Sequence, residues 1–353
     1  LLIKVDIIYI SPRLYRKDFQ MLNQSSQKTE KRSVIDMLLV SLALVFMSCY
    51  YYGLRAFILT LISVISAYIT DIICVKLRGE KYDFTDFSVP LSGVLMALMM
   101  PASVSYHIIV LSNILAITLG KQFFGGKGKN IFNPTVVGFV LSSICWGNEI
   151  LFYPKPEETL SLASELSISL SPSLTRILGY ASNPSVSNVD IFIGKFTGPM
   201  GATHIVIILV CAIVLICRRS ASFLTFFSGI GTMAVLAYFF RFFGSDAFTA
   251  VFYQLASGTV LFSMLFFACD YYVLPKSKSS RLLYGIIIGG LTILIQAIGK
   301  VENSILYALI IAAPIGIVLD ESAFSFGREF RKIKKKLFKK KKTVGEEAEN
   351  GQQ

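Results

Sequence analysis

The sequence predicts an all-α polytopic membrane protein with about ten transmembrane helices. Three observations carry that prediction: 54% of the 353 residues are hydrophobic, only 16% are charged, and the mean hydropathy is +0.64. A chain of this composition cannot hide its apolar surface inside one water-soluble core. The net charge of +12 would suggest nucleic acid in a soluble protein. Here its distribution along the chain matters more than its sum, and nucleic acid is not expected as a partner.

Apolar stretches suited to spans run over 33–52, 54–75, 88–101, 104–120, 131–147, 203–217, 221–240, 249–269, 283–299 and 303–319. A full crossing takes roughly 20 apolar residues. The stretches 88–101 and 203–217 fall short of that, which points to broken or half-length helices around a site at membrane depth. Spans one to five and six to ten each contain a short segment beside a polar loop, a hint of two five-helix halves without a clear sequence repeat. Threaded with both ends inside, the chain places all but six of its 34 Lys and Arg on the inner side, the six being Arg55, Lys155, Arg176, Lys195, Arg241 and Lys300. That bias sets a multi-pass topology in the cell's inner (cytoplasmic) membrane with both termini cytoplasmic.

The resulting division is a cytoplasmic N-terminal tail (1–32), a first transmembrane half (33–147), an extracytoplasmic loop (148–202), a second transmembrane half (203–319) and a basic cytoplasmic tail (320–353). The last, with Arg328 to Lys342 dense in lysine, reads as a stop-transfer and anionic-lipid anchor on the bilayer. Lys4 and Asp6 interrupt the first apolar run, so no cleavable signal peptide is expected, and residues 1–10 read as a translation-start artefact or a loose tail. Six cysteines, at 49, 74, 145, 211, 217 and 269, lie in or beside apolar segments without CxxC spacing. They read as small membrane residues, and no metal site and no catalytic residue is assigned.

Three constellations could carry chemistry. The run Gly120 to Pro134, GKQFFGGKGKNIFNP, joins spans four and five. Gly125, Gly126 and Gly128 permit close backbone approach, Lys127 and Lys129 add charge, and Asn133-Pro134 would open the next helix with its amides exposed. Such a loop can hold an anion or a flavin carbonyl; a tight basic turn without a ligand explains the spacing equally well. At Thr197 to His204, Gly198 and Gly201 flank Pro199, and Thr203 would cap span six, where a plain N-cap outweighs a phosphate site. Finally, Asp36, Asp71, Asp86 and Asp270 lie within or beside spans, where carboxylates are costly. Only Asp86 combines with hydroxyls, at Ser88 and Ser92, and with Gly93 in a short span. His107 and His204 read as structural histidines.

Several of these motifs together resemble those of the D subunit of the Rnf electron-transport complex, related to the B subunit of the sodium-translocating NADH:quinone oxidoreductase. The resemblance runs from Ser11-Pro12-Arg13 to about Asp320. Its most specific parts are Ser92 to Pro101, Gly120 to Gly138, Asp190 to Gly194 leading into Gly198 to Gly201, Phe266 to Asp270, and Arg281 to Gly285. It implies ten helices in two inverted five-helix repeats, a fold shared with urea and ammonium channels. It further implies FMN esterified to an extracytoplasmic threonine, riboflavin bound non-covalently, other complex subunits as partners, and Na⁺ or H⁺ as the transported ion.

The chain departs from that pattern where the family carries Ser/Thr-Gly-Ala-Thr. Here the corresponding place reads Ser169 to Thr175, with Ser171 before Pro172. Ser171 is the positional candidate for the flavin, Thr175 a near neighbour, and Thr203 the motif lookalike, so covalent attachment stays open. The Thr-Asp-Pro usual after span eight is Cys269-Asp270-Tyr271. The expected function is that of a membrane subunit relaying electrons through bound flavin, rather than an enzyme on its own. Lys121, Asn130 and Asn133 would orient flavin carbonyls, while Asp86, Ser88 and Ser92 would line a polar cavity. The alternatives are a channel or transporter-like paralogue that kept the fold after losing the covalent flavin, and a structural subunit that only holds partners together.

Overall fold

The computed structural model describes residues 12–156, 160, 162, 170–179, 187–240, 246–256, 259–299 and 301–320, with side chains from residue 29 onward except 178 and 179. The basic tail at 328–342 and most of the serine-rich part of the expected outer loop lie outside the described residues.

Helix α1 (Pro12–Tyr52) and helix α2 (Leu54–Leu77) are separated by Gly53 alone. Its φ of 70° is one that a β-carbon resists, so a glycine is what lets the chain reverse in one residue. Along α2 the exposed large residues recur every fourth position, Phe57, Leu61, Ile65, Ile69, Ile73 and Leu77. The opposite face buries Ala56, Thr60, Ser63, Ala67 and Thr70. Large apolar groups face outward and small or hydroxylated ones inward, the reverse of a soluble helix, as expected where the solvent is lipid and close packing holds helices together.

Helix α3 (Ser88–Met99) buries every one of its 12 residues. At 1.5 Å per residue it spans about 18 Å, too little to cross a bilayer core of about 30 Å. It is a short helix enclosed by its neighbours, as the length of the apolar stretch predicted. Its last carbonyls are satisfied by a distant loop: Gly201 N–H donates to the Leu98 carbonyl at 2.8 Å and Met200 N–H to Met100 at 3.1 Å. A β-carbon on Gly201 would stand 2.7 Å from Leu98, so this docking needs a glycine.

Next come α4 (Tyr106–Leu115), which continues as a π-helical turn over Ala116–Gln122, then α5 (Pro134–Cys145) and the one-turn α6 (Gly147–Ile150). Two two-residue strands, β1 (Phe152–Tyr153) and β2 (Ser171–Pro172), pair antiparallel with Tyr153 opposite Ser171. This small ladder is an addition to the all-helical expectation. Short helices α7 (Leu174–Gly179) and α8 (Asn188–Ile193) lead to α9 (Ile205–Cys217), α10 (Phe223–Phe240), α11 (Ala247–Ala256), α12 (Val260–Phe266), α13 (Lys278–Gly299) and α14 (Ser304–Asp320). The axes of α11 and α12 differ by 52°. All seven residues of α12 are buried, as in α3. Helices α10 and α13 approach through glycines: a β-carbon at Gly289 would lie 2.7 Å from the Gly229 carbonyl, and one at Gly285 2.6 Å from that of Thr225. A small residue every fourth position is the usual means of such a close crossing.

Helix thus lies within each of the ten apolar stretches. Among the described residues four helices are long and apolar enough to cross a membrane, namely Thr29–Tyr52 within α1, α2, α10 and α13, or five if α11 and α12 form one bent span.

Candidate functional site

The chain brings Asp71, Asp86 and Lys121 together at one end of the bundle, where α2 and the π-turn finish and α3 and α5 begin. The π-turn decides where Lys121 points. Gly120 sits so close to α5 that a β-carbon would meet Pro134 Cα at 2.6 Å, and the widened turn directs the next side chain inward. Lys121, 1% exposed, places its ammonium 2.7 Å from Asp86 Oδ2 and 3.3 Å from Asp71 Oδ1. Asp71 also accepts a hydrogen bond from Gln122. Asp86 holds its other oxygen with the Ser88 hydroxyl at 2.7 Å and the Ser88 N–H at 3.0 Å. Burial raises the Asp86 carboxyl, but the Lys121 charge and the Ser88 bonds outweigh it and hold the group below its ordinary range. The triad thus sets two carboxyl groups against one ammonium in a desolvated place.

A second link joins the two halves of the chain. Asn133 caps α5 by accepting from Thr135 N–H at 3.0 Å and Val136 N–H at 3.3 Å, while its amide donates to Asp270 Oδ2 at 2.8 Å. The first-turn amides of α5, expected to be exposed to a ligand, are therefore occupied by their own cap, and the stretch 131–147 becomes helical only at Pro134. Burial pushes the Asp270 carboxyl up to about 6 in spite of Asn133 and the Tyr272 N–H. The Tyr272 hydroxyl donates to Glu30 at 2.8 Å.

In front of these groups lies a cavity of about 520 Å³, lined by Glu30, Lys31, Val34, Asp83, Thr85, Asp86, Phe87, Ser88, Lys127, Gly128 and Tyr272. Asp83 pairs with Lys127 at 3.2 Å. Hydrogen bonds from Thr85, together with that lysine, pull the Asp83 carboxyl down to about 2. Gly125, Gly126 and Gly128 have φ of 101°, 86° and 75°, and a β-carbon on Gly126 would crowd the Arg78 guanidinium at 2.9 Å. Of the residues singled out from sequence, Asp86, Ser88, Lys127 and Gly128 line the cavity. Lys121 and Asn133 stand behind it with their hydrogen-bonding atoms engaged by the protein. Asn130, two residues beyond Gly128, is buried with an unpartnered Oδ1. Ser92 turns back onto the Ser88 carbonyl. Asp36, by contrast, belongs to a separate cluster with Arg218, Arg32 and Ser220.

The three hydroxyl candidates lie at the other end of the bundle. Ser171 sits in the two-stranded ladder, with a half-buried side chain. Thr175 and Thr203 line a cavity of only about 10 Å³. Thr203 does not cap α9: His204 occupies that position without a side-chain bond, and Thr203 Oγ1 is buried without a partner. Sequence reasoning missed Glu302, which lines the same cavity, as well as Glu30 and Tyr272. Pairing over such chain separations leaves no local signal.

The sequence profile of the NQR2, RnfD, RnfE family matches residues 23–323. Curated relatives include the D subunit of the proton-translocating ferredoxin:NAD(+) oxidoreductase complex of Clostridium ljungdahlii, 23% identical over 277 residues and covering 76% of this chain and 83% of that protein. The D subunit of the ion-translocating oxidoreductase complex of Haemophilus influenzae strain 86-028NP is 26% identical over 83% of this chain and 93% of its own. The protein of that name from Rhodobacter capsulatus is 27% identical over 69% and 75%. The chain therefore belongs to the NQR2, RnfD, RnfE family.

Proposed function

We propose that this protein is the membrane-spanning D-type subunit of an ion-translocating, ferredoxin:NAD-type oxidoreductase complex, and that it relays electrons through a bound non-phosphorylated flavin. The observation that carries the reading is the family match across residues 23–323, together with relatives that bear the name of that subunit. Ten crossings in two inverted halves, with both termini cytoplasmic, complete the proposal. It is supported by helix in every apolar stretch, by the paired short buried helices α3 and α12, and by the clustering of Arg78, Lys127 and Lys129 with Arg218 and Arg219 at loops on one side of that threading.

The large cavity favours riboflavin over FMN. Its lining offers three carboxylates, Glu30, Asp83 and Asp86, against two ammonium groups, Lys31 and Lys127. A phosphate would meet net repulsion there, whereas a neutral ring and a polyol chain would find the faces of Phe87 and Tyr272 and the hydroxyls of Thr85 and Ser88. When bound, the flavin supplies the one- and two-electron redox chemistry. The residues of this chain bind and orient it, and the Asp71–Lys121–Asp86 triad holds charge at fixed positions beside it. FMN ester-linked at Thr175 or Thr203 does not fit, since a 10 Å³ cavity has room for about one water and none for a phosphoryl group.

Na⁺ or H⁺ is the ion proposed to be coupled, and buried carboxylates at membrane depth are the groups suited to either. The test is genetic and biochemical together. A tagged chain should co-purify with other subunits of the complex, and its deletion should abolish ferredoxin-dependent NAD reduction by membranes. A chain that purifies alone, from cells whose membranes keep that activity without it, would instead favour a channel-like paralogue on the same fold, the reading to which the poor fit of the covalent site also points.

A further inference from the structure

At the end of the bundle opposite Lys121, four separate segments converge on the 10 Å³ cavity. They contribute Ser173, Thr203, Thr259, Glu302 and Asn303 as polar lining. All but Glu302 are at least nine-tenths buried. What sets the site apart is a concentration of unpartnered polar atoms on its lining residues: Thr203 Oγ1, Glu302 Oε2 and Asn303 Nδ2 are each buried without a hydrogen bond of normal geometry. The Tyr153 hydroxyl stands close to both the Glu302 carboxyl and the Asn303 amide and has no partner of normal geometry either. Buried polar groups in native proteins are nearly always satisfied, and one water typically satisfies two to four of them. Here one orphan is an amide donor, one an acceptor, and one a hydroxyl able to be both. A water matches that set. A hard metal cation, which needs a shell of oxygen ligands, would face the Asn303 amide hydrogens. Asn303 is oriented by its own Oδ1, which accepts from Thr259 Oγ1 at 3.1 Å.

We propose that Glu302 and a single ordered water, anchored by Thr203 and Asn303, form a proton-holding site at this end of the protein. In the loaded state the proton sits on Glu302 Oε2 and is donated to the water. On release the Oε2–H bond breaks, the water gains the proton to become hydronium, and it passes a proton on to bulk water without any change in oxidation state. The position of the site on the path of a translocated ion rests on the function proposed above; its existence does not. The groups that face the carboxyl from the packed elements are Tyr153 of β1, with Tyr52 of α1 behind it, Ser173 at the start of α7 and Arg176 within it. Burial pushes Glu302 up to about 7, against the Ser173 and Tyr153 hydroxyls and the Arg176 charge. A carboxyl so placed exchanges its proton near neutral pH.

The test is an infrared pH titration of the full-length protein in liposomes, from about pH 5 to 9, following the C=O stretch of protonated carboxyl groups. Wild type should show a band that titrates near neutrality and that E302Q removes. E302D, which keeps a carboxyl and guards against misfolding of E302Q, should retain a band with a displaced midpoint. T203V, which takes away the anchor of the water, should raise the midpoint by about half a unit or more, because the charged form loses a hydrogen bond. A neutral-range band unchanged in E302Q and E302D would overturn the proposal. So would a midpoint that falls when NaCl replaces choline chloride, since a metal cation would then be the ligand. The readout is protonation rather than transport, so an intact band in a chain that joins no complex would defeat only the functional reading.

Discussion

Replacing Lys121 with Met removes the cation from the buried triad and leaves two carboxylates in its place. The cost can be worked in two ways. Breaking a buried ion pair by deleting one partner typically costs about 3–5 kcal/mol. Alternatively, one acid takes up a proton at pH 7, and moving a carboxyl from its ordinary value of about 3.9 to neutral pH costs about 1.4 kcal/mol per unit, or about 4 kcal/mol. The agreement arises because Lys121 and both acids are under a tenth exposed, so solvent screens little of the loss. In a chain this long, about 4 kcal/mol lowers the thermal midpoint by roughly 8 °C. The pH dependence is the sharper signature. In wild type, Asp86 lies below its ordinary value, so its contribution is present above the unfolded value and is lost only as pH falls through the folded one. In K121M a raised carboxyl binds its proton more tightly in the folded state, and stability relative to wild type recovers as pH falls from about 7 to 5. Thermal unfolding of the purified protein in detergent across that range is the assay, with K121M/D71N as the neutralised control. A difference independent of pH, or a K121M protein as stable as wild type at pH 7, would refute the reasoning.

Other perturbations follow from the same geometry. Asp270 is raised to about 6, so the folded state holds a proton that the unfolded state has lost between about pH 4 and 6. Wild-type stability should therefore fall as pH rises through that window, and D270N should flatten the profile. Asn133→Ala removes both the cap of α5 and the bond to Asp270, with an expected loss of about 1 kcal/mol for the cap alone and faster amide exchange in the first turn of α5. Arg55 is fully buried and donates to the carbonyls of Ala102 at 2.8 Å and Val104 at 3.1 Å. Arg55→Lys should not restore the thermal midpoint lost in Arg55→Met, because an ammonium lacks the planar fork that reaches both carbonyls. Gly289→Leu, which forces a side chain against the Gly229 carbonyl, should part α10 from α13 and expose the region to protease, at a cost of about 1–3 kcal/mol or more.

The helices were legible because lipid imposes a simple rule: backbone polar groups must be satisfied within apolar segments, so apolar stretches become helix. Even the enclosed helix α3 announced itself, since Ser88 to Met99 is too short to cross and apolar on every side. The site was legible only in outline. Asp86 with Ser88 and the glycine loop that follows Lys121 stand in one neighbourhood, although the sequence offered them as two separate constellations. The π-turn that directs Lys121 inward has no period in the sequence to betray it. Nor could the chain reveal that Asp71, Asp86 and Lys121 share one ion network, because partners separated by 35 and 50 residues meet only through packing. Asn133 and Thr203 show the opposite failure. The Asn-Pro step read equally as an anion site or a plain turn, with its amides expected to be exposed, and it is self-capped, whereas Thr203 read as a cap and is an unpartnered hydroxyl in a small cavity. Glu302, in an ordinary-looking turn, gave no signal because its significance lies in the loops folded over it.

The most direct test of the account is the identity of the flavin carried by the chain. The protein, purified from its native membrane with its partners, would be denatured. The released flavin would then be identified by chromatography, and the peptides bearing Ser171, Thr175 and Thr203 by mass spectrometry. The account predicts riboflavin released in about equimolar amount with the chain and no flavin adduct on those peptides. An FMN-phosphoryl adduct on any of the three hydroxyls, or a complex free of riboflavin, would contradict it.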